Sequence, residues 1–134
     1  MSITSHITLV KPDAKVAWSV SERELLSLLA SANPKTVVPG QLKATCALTK
    51  GLSGECRFHF DKAGRLRKLQ LERTVPRHRQ KSFDAWNVQL EAWLNRGMAS
   101  VKRSESWCEW TIGKLKVVHI SHSDGVERVE VERS

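Results

Sequence analysis

The sequence predicts an α+β fold: an internal duplication of helix plus three-stranded antiparallel meander, forming one curved sheet with two helices packed on one face. Three observations carry this expectation. Two segments have the 3.6-residue periodicity of amphipathic helices, and each is followed by three stretches that alternate as strands do. The two sets also end alike, in "LQLER" and "VEVER", each after a glycine turn, "DKAG" and "SDG". A helix followed by a meander buries one face of its sheet, and two such units can join edge to edge.

The elements follow in order. "SHITLV" reads as an additional strand, turning at "KPDAK". In "VSERELLSLLASANP", Ser21 and Glu24 form a capping box and Val20 can staple against Leu25. Leu25, Leu28, Leu29 and Ala32 make the expected buried stripe, and Asn33-Pro34 stops the helix. Strands follow in "LKATCALT", "GECRFHFD" and "RLRKLQLER", with "TKGLSGE" as a hairpin loop rather than a phosphate loop. The second helix is "SFDAWNVQLEAWLNRG". Ser82 is its expected cap, Asp84 suits its positive end, and Gly97 ends it. Its apolar face is Phe83, Trp86, Leu90, Trp93 and Leu94. The last strands are "ESWCEWTIG", "KLKVVHIS" and "VERVEVER". One domain of 134 residues results: repeat 1 over about 21–73, a basic linker over 74–81 and repeat 2 over about 82–133.

Aligning the repeats predicts which residues face outward. His59 lies ten residues before Leu69 and His119 ten before Val129, and Cys46 and Cys108 fall at matching places. On that alignment Thr45 matches Trp107 and Arg57 matches Val117 on the outer face, while Cys108 and Trp110 point inward. The outer face of the first half is then polar, and that of the second is apolar: Trp107 and Val117, with Leu115 alongside.

Composition narrows the function classes. There is no cationic start leading into an apolar run and no stretch of membrane-spanning length, so a cytoplasmic location is expected, with no membrane partner. Three cysteines in no recognisable framework suit a reducing compartment. The five histidines are scattered, so no metal and no other cofactor is expected. No catalytic motif is present, and an enzyme is not expected. Cys108 alternates with Trp110 and Ile112 as a small core residue. His59 and His119 are expected on the outer face, and Glu127, Glu130 and Glu132 read as a solvated strand edge beside Arg128 and Arg133.

The net charge of +8 is local. Lys62, Arg65, Arg67, Lys68, Arg73, Arg77, Arg79 and Lys81 face the single acid Glu72, and the rest of the chain is close to neutral. Such a segment offers a nucleic-acid partner as one alternative. However, Phe58 and Phe60, which would serve as stacking platforms, share the face of Cys56 that the helices should cover. An outward Trp cluster beside concentrated charge points more directly to a protein partner with an acidic surface. The expected partner-binding residues are Trp107, Val117, Leu115, Arg65, Arg67, Lys68, Arg77 and Arg79, on a monomer or homodimer.

The helix-plus-meander written twice resembles the tandem layout of the beta-lactamase inhibitor protein family. The size, and "WTIG" and "LKVVH" before a short acidic turn, resemble small bacterial immunity proteins. The resemblance implies an inhibitor that neutralises a cognate toxin or effector by occlusion. A secretion chaperone is the further alternative. The chain departs from the inhibitor family in carrying neither a secretion signal nor paired cysteines, which points to a target inside the cell.

Overall fold

The computed structural model describes residues 5–94 and 100–133. Alternation in "HITLV" and "DAKVA" produces a hairpin of its own, β1 (His6–Val10) with β2 (Asp13–Ala17), instead of one strand added to the main sheet. Ile7, Leu9, Ala14 and Val16 are buried, so the hairpin lies across the core as a covering element. It touches the main sheet's edge at one bridge, Lys11 to Ala47.

Helix α1 (Glu22–Leu28) starts as its sequence demands. Glu24 N–H donates to Ser21 Oγ at 3.1 Å, and Ser21 N–H donates back to the Glu24 carboxylate at 3.4 Å. The chain then tightens into a 3₁₀ turn at Ala30–Ala32 and leaves through Asn33 in the left-handed region, φ +50°. The buried arc takes in Leu25, Leu29 and, in part, Leu26. Leu28 was expected inside but is 41% exposed, because the core lies on the Leu26 side of Leu25.

The main sheet has eight antiparallel strands: β3 (Lys35–Val38), β4 (Gln41–Thr49), β5 (Leu52–Phe60), β6 (Leu66–Thr74), β7 (Ser100–Arg103), β8 (Trp107–Ile112), β9 (Leu115–Ser121) and β10 (Val126–Arg133). Their order is β3-β4-β5-β6-β10-β9-β8-β7, so two meanders meet at their last strands. Each meander has four strands, one more than expected. The additions, β3 and β7, are four-residue edge strands too short to show a period, and β3 is exposed throughout.

Helix α2 (Arg79–Leu94) begins three residues before the expected cap. Ser82 therefore sits inside the helix, and Arg79–Lys81 of the supposed linker are helical. The expected end at Gly97 lies outside the described residues. Phe83, Trp86, Leu90 and Leu94 are buried and Trp93 is partly so, with Trp93 Nε1 donating to Thr8 O of the hairpin at 3.4 Å. Both helices and the hairpin thus cover one face of the sheet, and no described residue covers the other.

The register overturns part of the expected alignment. Leu69 pairs with Val131, Gln70 with Glu130 and Leu71 with Val129, so Gln70 and Glu130, the matching residues of "LQLER" and "VEVER", lie directly opposite each other. Counting outward, His119 pairs with Val129, but Leu69 pairs with Phe58, not His59. Between His59–Lys68 and Phe60–Leu66 the register shifts: Arg67 of β6 has no partner on β5, and this extra residue breaks the equal ten-residue spacing. Phe58 is therefore the ladder counterpart of His119, Leu42 that of Cys108, and Gln41 that of Trp107. A one-residue slip moves every side chain to the opposite face.

Candidate functional site

The uncovered face is built from three cross-strand rows. One runs Glu55, Glu72, Arg128, Ile120, Trp107; the next Arg57, Gln70, Glu130, Val118, Glu109; the third His59, Lys68, Glu132, Lys116, Thr111. Many of its charges are matched within the face. Arg57 meets Glu55 at 3.2 Å, Arg128 meets Glu72 at 2.7 Å, and Lys116 meets Glu109 at 3.4 Å. His59 Nε2 donates to Gln70 Oε1 at 2.7 Å, and Gln70 Nε2 donates to Glu130 Oε1 at 2.7 Å. Burial holds the His59 imidazole below its usual pKa, with Lys68 and Arg57 adding to the effect against the Gln70 hydrogen bond.

Trp107 stands on this face as expected, half-buried, and pairs directly with Ile120. Val118, also half-buried, is its diagonal neighbour. Leu115 and Val117 do not join them. They are 2% and 0% exposed, on the helix-covered side, because the slip at His59/Phe60 inverts the parity on which their placement rested. The contrast between halves survives with other residues. Gln41, His59 and Arg57 in the first half occupy the positions held by Trp107, Ile120 and Val118 in the second.

The basic segment is not one patch. Arg65, Arg67 and Lys68 lie at the start of β6, whereas Arg77 and Arg79 lie beyond its end, roughly 25–30 Å away at strand rise. Arg67 meets Glu132 at 3.5 Å, and Arg79 Nη1 donates to Ser123 O at 2.6 Å. Arg73 turns inward instead, its guanidinium 3.7 Å from the Trp86 ring centroid.

Behind Arg73 is a buried polar network. Glu127, expected on a solvated edge, is 1% exposed, because it alternates onto the helix-covered face with Val129 and Val131. Its carboxylate accepts from Ser82 Oγ at 2.6 Å, from His119 Nε2 at 2.8 Å and from Arg73 Nη2 at 3.4 Å. Arg73 Nη2 also donates to Ser82 Oγ. His119, expected on the outer face, is fully buried. Its Nδ1 lies 2.6 Å from Asn87 Oδ1, and its ring stacks on Phe83 with centroids 4.2 Å apart. Burial alone would raise the Glu127 carboxyl, but the His119 and Ser82 hydrogen bonds and the charges of His119 and Arg73 outweigh it and hold the group below the usual range. Serine, histidine and glutamate are therefore adjacent, yet Ser82 donates to the carboxylate and not to the imidazole. A nucleophile activated by histidine needs the other arrangement.

The three thiols are buried and free. Burial pushes the Cys108 thiol up. The Cys56 thiol is raised well above its usual value by its hydrogen bond to Cys46 and by burial, which keeps it protonated.

No protein-family model, curated protein or solved structure matches this chain. The sheet face and the network therefore stand on their own geometry. Among the described residues, no helix is long and apolar enough to cross a membrane.

Proposed function

We propose that this chain is a non-catalytic binding protein that neutralises a cognate toxin or effector inside the cell by occluding it, with the uncovered sheet face as its docking surface. One observation carries this reading: Trp107, Ile120 and Val118 form an apolar cluster on a face that no described residue covers, ringed by charges that are largely matched among themselves. A central aromatic anchor within a polar rim is the usual anatomy of a protein interface. The two half-sheets are read as copies of one unit. The direct pairing of the matching residues Gln70 and Glu130 supports this, as does the resemblance to the tandem layout of the beta-lactamase inhibitor family. The difference between copies then falls at the proposed interface, where Gln41, His59 and Arg57 give way to Trp107, Ile120 and Val118. Division of the basic segment between two ends of β6 favours a protein partner over a nucleic-acid backbone.

The test is coexpression with the product of the adjacent open reading frame. The neighbour should be toxic alone, harmless with this chain, and copurify with it; Trp107→Ala should restore toxicity while the variant still folds. A neighbour that is harmless alone and does not copurify rejects the proposal. A complex in which the neighbour keeps its activity identifies a chaperone instead.

A further inference from the structure

Strand β4 is nine residues long, but β3 pairs only with its beginning, Lys35 opposite Lys43, Thr36 opposite Leu42 and Val38 opposite Gln41. Further along, the hairpin tip takes over: Ala47 N–H donates to Lys11 O at 2.8 Å, and Lys11 N–H donates to Ala47 O at 3.4 Å. Lys43, Thr45 and Ala47 turn their backbone groups to the same side of the strand, so Thr45 stands in a gap between two pairings.

The gap is hollow. A cavity of about 530 Å³ is lined by Val10, Lys11, Thr45, Ala47 and Lys50, with Cys46 also on its wall. A smaller one of about 170 Å³ shares Thr45 and reaches Lys35 and Lys43. Lys11, Lys35, Lys43 and Lys50 thus surround the notch, and none of them makes an ion pair among the described residues. Lys35 and Lys43 sit directly opposite each other, an unfavourable placement without an anion between them. The nearby acid, Glu55, is already engaged by Arg57 at 3.2 Å.

We propose that this notch binds an acidic, partly apolar segment of another protein. An apolar side chain enters the larger cavity against Val10 and Ala47, the main chain passes Thr45, and carboxylates settle over the four lysines. This is strand-edge recognition with charge complementarity. A nucleic-acid backbone fits less well: it leaves the apolar wall unfilled, and along the Thr45 row it meets Glu55 and then Glu72. The site lies five strand steps from β8, roughly 24 Å, so it neither depends on nor tests the Trp107 face.

Fluorescence anisotropy with dye-labelled peptides tests the proposal. The probe is a glutamate-rich peptide of about ten residues with two central leucines, titrated with the full chain at low salt. It should bind saturably, and at least about tenfold less tightly to the Lys43→Glu/Lys50→Glu variant, whereas Trp107→Ala should leave it unchanged. An all-glutamate peptide should bind more weakly, because it cannot fill the cavity. The proposal is overturned by absence of saturable binding, by affinity that survives the lysine reversal, or by equal affinity for a single-stranded DNA of matching charge. Neither reversed lysine makes an ion pair among the described residues, and a circular-dichroism melt confirms that the variant is folded.

Discussion

Gln70 and Glu130 face each other across the seam of the two half-sheets, with Gln70 Nε2 donating to Glu130 Oε1 at 2.7 Å. They are the matching residues of "LQLER" and "VEVER", and Gln70 also accepts from His59 at 2.7 Å. The contact is half-exposed, so its worth is modest. Gln70→Ala should cost about 0.5–1.5 kcal/mol in urea denaturation, whereas Leu71→Ala, one residue on and fully buried, should cost about 2–5 kcal/mol. Equal costs would mean that the seam is held by the polar pair and not by the packing beneath it.

The two faces of the β8–β9 ladder should separate binding from stability. Trp107→Ala should weaken partner binding at least tenfold with a small change in melting temperature. Leu115→Ala should lower stability by about 2–5 kcal/mol, and any loss of binding should follow from unfolding. Measuring affinity and thermal midpoint for both variants decides the matter.

Glu127 ties stability to acidity. Its carboxyl is held below the ordinary range in the folded chain, so its contribution is complete above the unfolded glutamate value near pH 4.3 and is lost as pH falls from there through the folded pKa. Glu127→Gln should therefore be less stable at pH 7, by about 2–4 kcal/mol, because the buried His119 and the half-buried Arg73 lose their anion and solvent screens only the second. Its deficit against the parent should shrink as pH is lowered below about 4. A deficit that stayed constant from pH 7 to pH 3 would assign the loss to packing alone.

Gly54 sits within β5 where β6 passes closely. A Cβ there would stand 2.4 Å from the Glu72 carbonyl oxygen, a backbone atom that cannot swing away. Gly54→Ala should cost about 1–3 kcal/mol in chemical denaturation, despite adding only a methyl group.

The thiols should be silent. With Cys46, Cys56 and Cys108 all buried, alkylation by iodoacetamide at pH 8 should be slow in the native chain and proceed at the rate of a free thiol in strong denaturant. Rapid native labelling, located by mass spectrometry, would show which thiol the core fails to shield.

The parts of the fold with strong local signals were legible in the sequence. The capping box at Ser21 and Glu24, the Phe83–Trp86–Leu90 stripe and the six longer strands all stand where their periods put them. Edge strands β3 and β7 were not, since four residues are too few to carry a period. The placement of Leu115, Val117 and His119 failed for one reason: a single extra residue, Arg67, opposite the step from His59 to Phe60, reversed the parity of the comparison, and its trace in the sequence is the three-residue spacing of Leu66 and Leu69. Glu127 was grouped with the half-exposed Glu130 and Glu132, although its parity is that of Val129 and Val131; the alternation placed it inward, and only its partners Ser82, Arg73 and His119 needed the folded chain to be seen. The lysines of the β4 notch come from the hairpin tip, β3, β4 and the turn after it, so only the folded chain shows them as one group.

The seam has a consequence for how the molecule assembles. Strands β6 and β10 are roughly sixty residues apart in sequence, the most distant pairing in the sheet and entropically the hardest to close. Arg73 reaches Glu127 across that seam, and Ser82 reaches it from the helix between the halves. A second meander formed on its own would hold Glu127 against His119 without the cation from the first. The halves are therefore not independent modules: closing the seam brings Arg73 to the buried Glu127 and packs Leu69 and Leu71 beside Val129 and Val131, which couples the folding of one half to the other.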